Sequence, residues 1–195
     1  MEEKLLKTYK LIALQLILGI ICLVSVRLIS FLISDSMIIR RVAEISFPVA
    51  IFLVNTVTSY VIHSMRDKDA NFKMISVMCF FAGVFELIRA LTSAFGMITV
   101  PGCIAMAFTA VYVIGFATLM IKQFMTGEAL MLKKWIRFRK AFTITTSVLV
   151  ISVILTKIPK IDMFAFIFFV LAIVVMYILA IRFTLLVKRS AGAVK

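Results

Sequence analysis

Long apolar runs separated by short charged stretches organise this chain. Six runs are long or apolar enough to predict membrane-spanning helices, at about 11–34, 43–64, 73–95, 100–121, 141–156 and 163–187. A spanning helix needs about 20 mostly apolar residues. The fifth run is the shortest and carries Thr143, Thr145, Thr146, Ser147 and Ser152. Hydroxyls of this kind can bond back to their own helix, so they do not break the reading. The dividers are polar: Asp35–Arg41, Arg66–Lys73, Gly96–Thr99, Lys122–Lys140 and Lys157–Asp162. Strand-type alternation is absent, and helices satisfy every backbone group within one segment.

The fourth divider has its own periodicity. Over Glu128–Lys140, at 100° per residue, Leu130, Met131, Leu132, Trp135, Ile136 and Phe138 fall on one arc. Lys133, Lys134, Arg137 and Lys140 fall on the other, with Arg139 out of place. This pattern predicts an amphipathic helix at 128–140, lying in the cytosolic interface between the fourth and fifth spans with Trp135 at headgroup depth. Its basic arc, Lys133, Lys134, Arg137 and Lys140, is expected to meet anionic lipid headgroups. Thr126 is the expected cap at its start. The first ten residues, with Leu5, Leu6 and Tyr9 between charges, predict a shorter version.

Composition supports a bilayer as solvent. The chain has 195 residues, 64% of them hydrophobic, and a mean hydropathy of +1.16. A soluble domain is usually about 45–50% apolar. With few Pro and Gly and no long flexible linker, a single membrane domain over 1–195 is the economical reading. The apolar stretch after Lys4, Lys7 and Lys10 is too long for a typical signal peptide and is expected to be retained as the first span.

The net charge of +13 does not point to nucleic acid, because the basic residues gather at the ends of apolar runs. Their placement predicts orientation. With the N-terminus inside, sixteen Lys and Arg fall on the cytosolic side and four outside. Both termini are therefore expected in the cytosol, in a multi-pass protein of the cell membrane.

Ionisable residues inside spans are costly and make functional hypotheses. Arg27 lies in the first run, and Glu86 and Arg89 lie in the third. At 1.5 Å per residue they sit about 9–13 Å below the outer helix ends. Glu86 and Arg89 are i,i+3 neighbours and can pair on their own helix. Arg27 reaches them if helices one and three pack together. Two guanidinia against one carboxylate would leave a positive site for a small anionic or zwitterionic solute. The same ions could instead neutralise one another and fix helix register. Ser76, Cys79, Gly83, Glu86, Ala90 and Ser93 recur at helical spacing, so this face is expected to point into the bundle. In helix two, Asn55, Ser59 and His63 form a second polar stripe, with Asn55 near the midplane. Asn55 is a ligand-binding candidate, although such side chains more often bridge helices.

Enzyme motifs are missing: there is no GxSxG, HExxH or Walker loop. Cys22, Cys79 and Cys103 are odd in number and form no CxxC pair, and His63 is the single histidine. Disulfide framework, zinc site and bis-histidine haem are therefore not expected, and no cofactor is read from the sequence. In size, charge and six-helix layout the chain is similar to the membrane endopeptidases that trim quorum-sensing peptides. That resemblance would imply a Cys/His pair near the cytosolic face, where His63 and Cys79 both lie, but no matching motif surrounds either residue. Size and helix count are also similar to the substrate-binding subunits of energy-coupling-factor vitamin transporters.

The fold expected is an all-α membrane bundle of about six helices. Three functions remain open. The first is binding or transport of a solute at Arg27, Glu86, Arg89 and Asn55. The second is a sensor, assembly or accessory subunit that docks a protein partner or a second copy. The third is an intramembrane cysteine protease.

Overall fold

The computed structural model describes residues 1–32, 37–93, 99–125, 127–155 and 162–193, leaving aside the side chains of 22–23, 26–32, 37–44, 47, 93, 99 and 162. Among the described residues the chain is all helical. Six helices follow in order: α1 (Glu2–Leu32), α2 (Met37–His63), α3 (Asn71–Ser93), α4 (Thr99–Phe124), α5 (Ala129–Leu155) and α6 (Asp162–Ala193). Four contain segments long and apolar enough to cross a membrane: Asn71–Thr92, Val100–Phe124, Ala129–Leu155 and Met163–Ala193. In α2, Pro48–His63 is a shorter apolar stretch. By packing, the chain divides into two compact units, Met1–Tyr112 and Val113–Lys195, with the boundary inside α4.

In the first unit, α1 packs on α2 and α2 on α3. The turn between α2 and α3 is closed by its own backbone. Asp69 accepts the Asn71 N–H on its side chain at 2.9 Å and the Phe72 N–H on its carbonyl at 3.0 Å. A carboxylate there satisfies a donor that the first helical turn leaves open. At the same end, the Lys4 ammonium donates to the Ser64 carbonyl, joining the start of α1 to the end of α2. Leu5, Thr8, Ile62, Met65 and Phe72 are all buried there.

In the second unit, α5 and α6 form an antiparallel hairpin. The buried residues of α5 are Met131, Trp135, Phe138, Phe142, Thr145, Leu149 and Ser152. Their spacing alternates four and three, which is the 3.5-residue period of a left-handed supercoil seam. On α6, Ala165, Ala172, Leu179 and Leu186 are buried at intervals of seven. Small residues on this stripe let the backbones approach, and interdigitated contacts add dispersion attraction.

Three expectations change. The segment 128–140 is not a separate interfacial helix: Ala129–Leu155 is one continuous helix. Nothing in 129–155 breaks the pattern, which contains neither Pro nor Gly, and the heptad stripe runs through the presumed junction at Lys140–Ala141. Trp135 is not an anchor at headgroup depth but is fully buried. Its indole N–H donates to the Ser190 hydroxyl at 2.9 Å, and its ring meets Phe116, Phe138 and Phe183 with centroids 5.9–6.2 Å apart. Of the apolar arc, Met131, Trp135 and Phe138 are buried against protein, while Leu130 stays exposed. Likewise, the first ten residues are the opening turns of α1 rather than a short helix of their own. The expected Thr126 cap lies outside the described residues.

Candidate functional site

The third run's charges do meet. Both lie on α3, one turn apart, and the Arg89 Nε donates to Glu86 Oε2 at 2.9 Å while its Nη2 donates to Oε1. This is the two-pronged pairing for which a guanidinium is shaped. The pair is partly sheltered, with the side chains of Glu86 and Arg89 27% and 35% exposed. The Arg89 stem crosses α4 at Gly102: a Cβ there would stand 3.0 Å from Arg89 Cδ. A bare backbone at 102 thus gives the arginine a bed.

The side chain of Arg27 lies outside the described residues, so its expected place beside Glu86 does too. Sharing a site would bring α1 against α3. Among the described residues, the close backbone pairings are α1 with α2, α2 with α3, and α5 with α6.

The stripe on α2 faces α3 and forms a polar seam. Asn55 packs so tightly against Gly83 that a Cβ there would stand 2.8 Å from its own Cβ. Cys79 Sγ lies 3.8 Å from both the carbonyl and the side-chain oxygen of Asn55. From the other side, the Gln15 amide of α1 donates to Asn55 Oδ1. Asn55 therefore ties three helices together. Further along, the Ser59 hydroxyl donates to the Ser76 carbonyl at 2.7 Å. A shallow cleft of about 380 Å³ opens here, with Thr56, Ser59, His63 and Ser76 in its lining.

His63 is held between two neighbours. Arg66 Nη1 lies 2.8 Å from Nε2, and Ser76 Oγ lies 3.4 Å from Nδ1. A guanidinium can only donate, so Nε2 accepts and the neutral ring carries its proton on Nδ1. Cys79 and His63 thus have different partners: the sulfur sits on Asn55 and the imidazole sits between Arg66 and Ser76. The pairing that a cysteine protease would need is not made.

Gln15 went unnoticed in the sequence, though an amide in the middle of the first apolar run was a signal of a bridge. Ser190 was hidden by its place in a basic tail. Its partner Trp135 could have been read from the 3–4 spacing of large side chains through α5. The hydroxyls of Thr145 and Ser152 bond to the carbonyls of Ala141 and Val148, within their own helix. No family model, no curated protein and no solved structure matches the chain.

Proposed function

We propose that the chain is a six-span protein of the cell membrane, with both ends in the cytosol, that acts as a non-transporting assembly or accessory subunit. The observation that carries this reading is the closed Glu86–Arg89 pair. Both prongs of the guanidinium are used on the carboxylate, which leaves little net charge to hold a solute. Asn55 is likewise spent on Gln15 and on its close packing against Gly83. Asn55 then serves helix register, as interhelical bridges do, and the ion pair neutralises its own helix. The outward face of α6, with Phe164, Phe168, Leu171, Val175 and Ile178 exposed, is free to meet lipid or a membrane partner.

The second reading is binding of a small anionic or zwitterionic solute at Arg27, Glu86, Arg89 and Asn55. Partial exposure of Glu86 and Arg89 favours it, because a group a quarter to a third exposed can still be reached. Thermal unfolding of the full chain in detergent separates the two. The assembly reading expects no shift on adding small carboxylates. A stabilisation that disappears in Arg27→Ala or Arg89→Ala would establish the solute site instead. The topology is tested by single-cysteine labelling on a cysteine-free background. Impermeant reagent should modify cysteine at 36 and 160 and spare 69 and 128; the reverse pattern would reject it.

A further inference from the structure

The second unit carries its charge unevenly. Residues 113–195 hold twelve Lys and Arg and two carboxylates, Glu128 and Asp162. Four of the cations converge where the N-terminal half of α5 meets the C-terminal half of α6. Lys134 and Arg137 of α5 and Arg182 and Arg189 of α6 line a cleft of about 370 Å³. Among the described residues no carboxylate lines it. Its floor is apolar: Phe138, Leu185 and Leu186.

Helical register puts these residues together. Lys134, Arg137 and Phe138 are i, i+3, i+4, and Arg182, Leu185, Leu186 and Arg189 are i, i+3, i+4, i+7. The hairpin beneath is fixed by the Trp135–Ser190 hydrogen bond and the stacked Phe138–Phe183 rings, 5.5 Å apart. Four like charges around one cleft repel one another and call for a counter-anion. Three of them are guanidinia, whose forks fit phosphate oxygens in pairs.

We propose that this cleft binds the phosphate of an anionic phospholipid. An apolar floor adds nothing for a free phosphate ion but suits the glycerol and upper acyl chains of a lipid. From the cleft, Ile181, Ile178, Val174 and Leu171 continue along α6 as exposed apolar residues, a track on which the chains can lie. Basic pockets between membrane helices on the cytosolic side have this headgroup preference. The proposal rests on the six-span reading, which places the cleft at the inner leaflet.

The test uses the full chain in non-ionic detergent, counting individual phosphatidylglycerol and phosphatidylcholine molecules bound, by native mass spectrometry. Phosphatidylglycerol should bind and phosphatidylcholine should not compete. Arg137→Gln/Arg182→Gln should weaken binding roughly fivefold per cation, about twenty-five-fold together. The charge-matched control Lys68→Gln/Lys73→Gln, two exposed lysines of the first unit that do not line the cleft, should stay within about threefold. If the double arginine variant misfolds, Arg189→Gln alone should still lose about fivefold. Equal loss in the control would reduce the site to diffuse attraction and overturn the proposal. So would competition by inorganic phosphate at equal concentration, which would make it a soluble anion's site, or equal binding of phosphatidylcholine. Resistance of the protein to alkaline carbonate extraction reports the membrane reading separately. A chain that stays in the membrane but binds phosphatidylglycerol equally with and without these arginines fails the cleft alone.

Discussion

The seam between α2 and α3 and the seam between α5 and α6 join neighbouring helices by different chemistry. The first is polar and narrow: Asn55 lies against Gly83, Ser59 donates to the Ser76 carbonyl, and Cys79 rests on Asn55. The second is closed at one end by an aromatic cluster, with Trp135 enclosed by Phe116, Phe138 and Phe183 and hydrogen-bonded to Ser190. In lipid, apolar side chains gain little by leaving the solvent, so association needs either close backbone approach with hydrogen bonds or dense interlocking of large side chains. The α2–α3 seam carries the hydrogen bonds and the tight Asn55–Gly83 contact, and the α5–α6 seam carries the interlocked rings. The difference predicts which substitutions each seam tolerates.

The aromatic seam should be the more costly to empty. Trp135→Ala removes the largest fully buried side chain and should cost about 3–5 kcal/mol in reversible unfolding in detergent. Trp135→Phe, which keeps a ring and loses the Ser190 bond, should cost about 1 kcal/mol plus a small packing loss. A tryptophan at headgroup depth would show little change in either variant, and that result would break the comparison.

The polar seam should fail in the opposite direction, by overfilling. Gly83→Ala sets a methyl 2.8 Å from Asn55 Cβ, an atom next to the backbone that cannot swing away. The helices must separate, at about 1–3 kcal/mol. Gly19→Ala is the matched control: nothing lies within 4 Å of a Cβ there, so the helical preference of alanine should leave the protein equally or slightly more stable. Equal effects at 83 and 19 would mean that close approach does not hold the α2–α3 seam.

The smallest effect is expected outside both seams. Glu3 is fully exposed, and its hydrogen bond and charge contact with Lys7, 2.8 Å away, lower its carboxyl pKa. A depressed carboxyl pKa adds stability that is present above the unfolded value and lost as pH falls through the folded one. For so exposed a pair this contribution is screened. Glu3→Gln should leave the unfolding midpoint at pH 7 unchanged within error, and any difference from the parent should vanish as pH drops below the carboxylate range.

The helices were readable from the apolar runs because hydropathy over 20 residues averages out local detail. Their true ends were less so. α1 begins at Glu2 and α6 runs to Ala193, since helices continue past the apolar stretch as long as no breaker intervenes. The amphipathic arc of 128–140 was visible, but an apolar arc looks the same whether it faces lipid or another helix. What could have decided it was the unbroken 3–4 spacing from Met131 to Ser152. For the candidate site, the i,i+3 spacing of Glu86 and Arg89 anticipated their pairing. The bridge from Gln15 to Asn55 depends on the register between separate helices, which periodicity within one helix does not encode.

Closure of Glu86 and Arg89 on each other within α3, rather than on a solute, is tested most directly by a double-mutant cycle of Glu86→Gln, Arg89→Gln and the pair, read by thermal unfolding with and without small carboxylates. Breaking one partner of a partly sheltered pair should cost about 1–3 kcal/mol, below the cost in a fully buried site. The account predicts that each single variant is less stable than the double, and that carboxylates shift none of the four proteins. Additive losses, or a carboxylate that stabilises the parent and not Arg89→Gln, would contradict it.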